Sequence, residues 1–186
     1  LGLVYPNQFI DVAEECGLIE SIGEWVMRDT CTQIKKWLDI GLDAVPVAVN
    51  VSAIELRNLG YAIGVKKILA ETGLEAKYLE IELTENVLSQ DLETSKLTLD
   101  ALSELGVKLA MDGFGTGFSS LSSLCRFPID ILKLDRSIVC NIDNSDEDAA
   151  VVSAVISMGI NLNQRIVAEG VESQVQVDFL LAHHCD

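Results

Sequence analysis

The stretch KLAMDGFGTGFSSL, from Lys108 to Leu121, ends an apolar run on an acid and then spaces three glycines, Gly113, Gly115 and Gly117, at alternate positions. Such a stretch fits a phosphate-cradling loop, a tight turn or part of a metal site. The choice depends on what stands at the ends of comparable runs. Four others occur: VAVNVSA from Val47, KYLEIEL from Lys77, DILKLD from Asp130 and RIVAEGV from Arg165.

Between these runs the apolar spacing is helical. Phe9, Val12, Ala13 and Cys16 follow Pro6 and stop at Gly17. Ile22, Val26, Ile34 and Leu38 predict a helix over residues 22–40, ending at Gly41. Further helices are expected up to Gly73, from Leu92 to Leu105, across SSLSSLCRF (residues 119–127), across AAVVSAVISMGI after the acidic NIDNSDED, and across SQVQVDFLLAHH. Acids ahead of a helix meet free N–H groups and the positive end of its dipole. Strand-like runs alternating with helices imply βα units and a parallel sheet, with no linker or low-complexity break.

Strands of a parallel sheet are buried on both faces and should read as continuous hydrophobics. These five break that rule near their C-terminal ends, at Asn50, Glu82, Asp112, Lys133 and Glu169. Side chains alternate faces, so Glu80 and Glu82 share one face, as do Lys133 and Asp135. In a βα barrel the C-terminal strand ends converge on the mouth of the active site. One such acid reads as half of a structural ion pair; several aimed at one volume are tolerable when a cation sits among them.

Composition narrows the partners. Lys and Arg number 13 against 29 Asp and Glu, a formal charge of −16, so DNA, RNA and acidic membranes are not expected to bind. An anionic substrate remains compatible where divalent cations reverse the local field. No apolar stretch is long enough to span a bilayer. The five cysteines form no C-x-x-C pair and read as core thiols of a reducing, cytoplasmic compartment. His183-His184-Cys185-Asp186 looks metal-like but lacks partners at a zinc spacing. Leu1 is not a start methionine, which leads us to expect a piece of a longer protein.

Two motif readings of the opening stretch compete poorly. In a dinucleotide fingerprint Phe118 would take the place of the third glycine, and Asp112 would set a carboxylate beside the pyrophosphate, although Asp135 lies at a suggestive distance. A kinase D-F-G is written here Asp112-Gly113-Phe114-Gly115, with no H-R-D loop. A plain glycine turn explains the glycines but not the acid.

Taken in order, LGLVYPNQFIDVAEECGLIESIGEWV, AVNVSA, LEIELTEN, DGFGTGFSSL, FPIDILKLDRS and VAEGVES resemble the EAL-domain family of cyclic di-GMP phosphodiesterases along nearly the whole chain. The resemblance implies an α/β fold, a modified TIM-type (β/α) barrel, present here as about five βα units. It treats residues 1–186 as a single EAL-like domain lacking the strand that carries the E-A-L motif and the C-terminal strands. It implies metal-dependent hydrolysis of cyclic di-GMP to the linear dinucleotide. By the same resemblance Asn50, Glu82 and Asp112 hold one divalent cation, Mg²⁺ or Mn²⁺, and Glu169 helps hold a second. Lys133 stands beside the attacking water, Glu85 supports the glycine loop, and Glu172, like Asp135, backs up the site. A homodimer and attached sensor or cyclase domains are compatible with it.

Three departures from the family pattern matter: the E-A-L strand is expected before Leu1, the late glutamine after Asp186, and the glycine loop itself differs. The family pattern opens this loop with two aspartates, whereas here Gly113 follows Asp112, so an acid of the second metal site is missing. Two functions therefore stay open: an active phosphodiesterase, and a degenerate domain that binds the nucleotide or a protein partner and only relays a signal.

Overall fold

The computed structural model of the chain describes residues 2–84, 87, 91–115 and 126–186. Helix α1 (Pro6–Glu15) opens on a proline, whose missing N–H costs nothing in a first turn, and the Tyr5 N–H donates to Gln8 Oε1 at 3.1 Å. Helix α2 (Ile19–Asp39) starts three residues before its apolar periodicity becomes regular and buries Met27, Cys31 and Ile34. The run VAVNVSA divides: strand β1 is Val47–Asn50, and Ser52 then caps a short helix α3 (Ala53–Arg57). That capping box is reciprocal, with Ser52 N–H donating to Glu55 Oε2 at 3.0 Å and the Glu55 N–H to Ser52 Oγ at 3.3 Å. Its S-x-x-E signature outweighs the β-branched run.

The remaining elements are α4 (Tyr61–Thr72), β2 (Leu79–Thr84), α5 (Leu92–Leu105), β3 (Lys108–Phe114), β4 (Ile131–Leu134), α6 (Arg136–Val139), α7 (Asp146–Asn161), β5 (Arg165–Ala168) and α8 (Gln174–Ala182). The expected helix over residues 119–127 falls, up to Cys125, outside the described residues. The acidic stretch behaves as anticipated: Ser145 caps α7, and Asp146, Glu147 and Asp148 occupy its first turn. The five strands form one sheet in sequential order, with β3–β4 and β4–β5 parallel. A parallel sheet of five βα-linked strands is the architecture expected from the alternation of periods.

The chain groups into two compact units. The first, Leu1–Ile81 with Gln90–Val107, packs α2 on α3, α4 and β1, and packs α5 on α3 and α4. Its core includes Cys31, Ile34, Leu56, Leu99 and Leu102, each fully buried. The second, Glu82–Ser89 with Lys108–Asp186, sets α7 against β5 and α6. Leu109, Leu132, Leu134, Ile156 and Ile166 are fully buried there.

Within the second unit α7 approaches the sheet at Gly159. A Cβ on that glycine would collide with Ile166 Cδ1 and lie 3.6 Å from Leu132 Cδ2. The glycine therefore sets how closely α7 sits behind the two strands that carry Lys133 and lead to Glu169. Gly159→Val is expected to destabilise the protein by about 2 kcal/mol through overpacking. Ile166→Ala in the same chain should return part of the loss in urea unfolding; no recovery would mean that the contact is not what limits the site.

Candidate active site

Three of the expected site residues meet in the second unit. Lys133, on β4, directs its ammonium between two carboxylates: Nζ lies 2.5 Å from Glu82 Oε1 and 2.6 Å from Glu169 Oε1. The lysine side chain keeps 15% of its exposure and Glu82 8%, while Glu169 keeps 41%, so the cluster opens to solvent on the Glu169 side. Glu169 follows the last residue of β5, and its N–H donates to Leu134 O at 3.0 Å, continuing the ladder one step beyond the strand.

Burial by itself would lower the Lys133 pKa, but the hydrogen bonds to Glu169 and Glu82 outweigh it and hold the ammonium above its ordinary range. Lys133 is therefore a fixed positive charge that donates hydrogen bonds.

Strand β3 reaches this cluster through an irregularity. Met111 pairs with Leu132 and Phe114 with Leu134, so Asp112 and Gly113 together oppose the single residue Lys133. One extra residue on one strand is a β-bulge, a device that re-aims side chains beside active sites. Gly113 has φ +71°, the left-handed region that favours glycine. The bulge also lets two consecutive residues address one neighbourhood, which simple alternation along a strand forbids. The described part of the opening stretch is thus a glycine-bearing bulge whose register sets Asp112 and Gly113 opposite Lys133.

The other expected residues are placed as follows. Asn50 ends β1 in the first unit and is exposed. Asp135 caps α6: its Oδ1 accepts the Ser137 N–H at 2.7 Å, and the Ser137 hydrogen bonds hold its carboxyl below the usual range. Glu172 pairs with Arg136 at 2.7 Å and donates its N–H to Gln176 Oε1 at 2.7 Å. Glu85 lies outside the described residues. Arg136 was not among the candidates. Its signal is an offset of three residues from Lys133, matched by that of Glu172 from Glu169.

The C-terminal histidines form no site. His183 Nδ1 lies 2.8 Å from Phe179 O, its ring stacks on Phe179 at 4.1 Å, and Cys185 is buried. Among the described residues Cys16, Cys31, Cys140 and Cys185 are free thiols, and burial pushes Cys31 up to about 11, as expected of a core thiol.

The carboxylate donors of this unit suit a hard divalent cation, since carboxylate oxygens are what Mg²⁺ or Mn²⁺ prefers. Glu82 and Glu169 carry two negative charges against the single charge of Lys133. The cluster thus keeps surplus negative charge after the lysine is paired. Among the described residues no three His, Cys, Asp or Glu side chains are already gathered as a metal-holding group. Glu82 and Glu169 turn onto Lys133 instead.

With this geometry the relationships of the chain become informative. Residues 1–186 match the EAL domain family, and the chain belongs to that family. It is 42% identical over 185 residues to the bifunctional diguanylate cyclase/cyclic di-GMP phosphodiesterase MucR of Pseudomonas aeruginosa, covering 100% of this chain and 27% of that protein. The cyclic di-GMP phosphodiesterase NbdA of the same organism is 40% identical over 185 residues, covering 100% of this chain and 24% of its own length. The solved PaMucR phosphodiesterase in complex with c-di-GMP aligns with a TM-score of 0.91 at 42% identity, over 100% of this chain and 75% of that one. The chain thus spans about a quarter of the length of these curated relatives.

The ion-pair cluster makes unequal demands on its members. Lys133→Met leaves Glu82 buried without a cation and should cost about 3–5 kcal/mol. Glu82→Gln leaves Lys133 paired with Glu169 and should cost less, about 1–2 kcal/mol. Urea unfolding of both variants measures this; the reverse order would remove Lys133 from the centre of the cluster.

Proposed function

We propose that this domain is a cyclic di-GMP phosphodiesterase, hydrolysing one phosphodiester bond of the cyclic dinucleotide to give the linear product. The observation that carries the reading is the Glu82–Lys133–Glu169 cluster at the strand ends, with Asp112 on the bulge opposite the lysine. Kinship with relatives named as cyclic di-GMP phosphodiesterases supports it. In the reaction water adds to phosphorus and the bond from phosphorus to one ribose oxygen breaks, leaving a phosphate monoester and a hydroxyl.

Glu82, Asp112 and Glu169 are the residues of the second unit that would hold Mg²⁺ or Mn²⁺. When bound, such ions make a nucleophile from water at neutral pH and neutralise charge on the attacking and leaving oxygens. The protein's own part is electrostatic. Lys133, kept protonated by its two partners, presents a fixed donor to the phosphate oxygens and to the water aligned with them. Glu169 is the more exposed of the two partners, at 41% against 8% for Glu82. Gly113 keeps the bulge and withholds the second carboxylate. The intact protein is proposed to act on a cytoplasmic messenger, with sensor or cyclase segments and pairing of two copies as further parts of this reading.

A second reading is favoured by one observation, Gly113 itself. Without an acid there, the domain would bind cyclic di-GMP without hydrolysing it, acting as a receptor. Single-turnover conversion of cyclic di-GMP by the intact protein, with Mg²⁺ or Mn²⁺, decides between them. Wild type is expected to be slow, and Gly113→Asp to raise the rate by about a hundredfold, or about 2.7 kcal/mol of barrier. Aspartate at φ +71° strains the bulge by about 1 kcal/mol, a cost to stability that leaves the direction of the rate change intact. Brisk wild-type turnover unchanged by Gly113→Asp would overturn the account of the bulge.

Binding supplies an independent check. A domain of net charge −16 needs cations to accept an anionic ligand. Calorimetry is therefore expected to show cyclic di-GMP affinity falling at least tenfold (about 1.4 kcal/mol) in EDTA. Equal affinity with and without EDTA would favour the receptor reading.

A further inference from the structure

The contact that holds Glu169 is repeated one step outward. Lys133 pairs with Glu169, and three residues further along each segment Arg136 pairs with Glu172, Nη2 to Oε1 at 2.7 Å. Between the two pairs lies Gly170, φ +67°. The Arg136 stem covers it so closely that a Cβ there would stand 2.6 Å from Arg136 Cβ and 2.9 Å from Cδ, and closer still to Cγ. Arg136 thus touches the turn after Glu169 twice, with its methylenes on Gly170 and its guanidinium on Glu172.

The turn is tied down further along as well. Ser173 Oγ donates to Asp143 Oδ2 at 2.7 Å, and Gln176 accepts the N–H groups of Glu172 and Ser173 at 2.7 and 3.1 Å. The outer pair is 65% and 63% exposed. Pairs exposed to that degree contribute little to stability. A long cationic side chain laid along a backbone can still fix where that backbone goes.

We propose that Arg136 is a positioning residue for the Glu169 carboxylate: by covering Gly170 and pairing with Glu172 it aims the end of β5 so that Glu169 stays on Lys133. This rests on the reading of Glu169 as part of the active site. Arg136 touches none of the reacting atoms. Its effect passes through one glycine and two carboxylates.

The test uses the intact protein labelled with ¹⁵N-lysine and follows the Lys133 ammonium resonance in wild type, Arg136→Ala, Arg136→Lys and Glu172→Gln. Glu169→Gln, in which one of the two Lys133 ion pairs is lost, calibrates the signal. Arg136→Ala is expected to speed exchange of that ammonium with water about fivefold, the coupling scale of one exposed pair. Arg136→Lys, which keeps the stem and a charge, should restore part of the protection. Cyclic di-GMP turnover in the Gly113→Asp background is expected to show kcat down about tenfold in Arg136→Ala, KM within about twofold, and Tm within about 2 °C. An ammonium signal unaltered in both Arg136→Ala and Glu172→Gln overturns the proposal whatever the turnover. So does a fall in Tm with kcat intact, the mark of a purely structural strut. A perturbed ammonium in a protein that hydrolyses nothing, even as Gly113→Asp, sustains the positioning role and defeats the phosphodiesterase reading instead.

Discussion

A single ammonium group organises the chemistry at the strand ends. Lys133 is mostly buried, and an unpaired cation there would cost several kcal/mol. Glu82 and Glu169 remove that cost, and in doing so they tie three segments of the second unit to one point: the end of β2, β4, and the residue after β5. The same arrangement explains how acids that favour a metal can face one another in a stable protein. The lysine stands as an internal counter-ion shared by both acids.

Much of this was legible in the sequence because it follows from periodicity and burial. The alternation of strand-like and helical spacing gave the parallel sheet. The polar breaks at Glu82, Lys133 and Glu169 stood out because strands buried on both faces should carry none, and the structure brings those three together. The start of α3 inside VAVNVSA was hidden by β-branched residues, although Ser52 and Glu55 carried the capping signal. Asp135 illustrates a different limit. It shares a face with Lys133 by strand parity, but β4 ends at Leu134, and the carboxylate is committed to the first turn of α6. Parity cannot be extended past the last paired residue.

The bulge was the least legible feature and the one on which the functional reading turns. Sequence spacing treats Asp112 and Gly113 as neighbours on opposite faces of a strand. The register shows both standing opposite Lys133, an offset that only the partner strand reveals. It also gives Gly113 a structural cause, since the backbone there is left-handed. Arg136 was missed for a similar reason: its role lies in the stem packed over Gly170, a contact between segments that sequence spacing does not encode.

The bulge makes β3 a strand whose length is counted. Because two residues oppose one, Phe114 falls beside Leu134, on the same side as Met111 despite an odd separation. Deleting either Asp112 or Gly113 would restore a regular ladder and keep Phe114 in its buried place, while stripping the strand of one of its two positions opposite Lys133. Core and site would thus respond differently to the same deletion, the core keeping its register and the strand keeping a single position opposite Lys133. The loss of one codon here would leave Phe114 beside Leu134, so the register of the core alone does not tell whether one residue or two face Lys133.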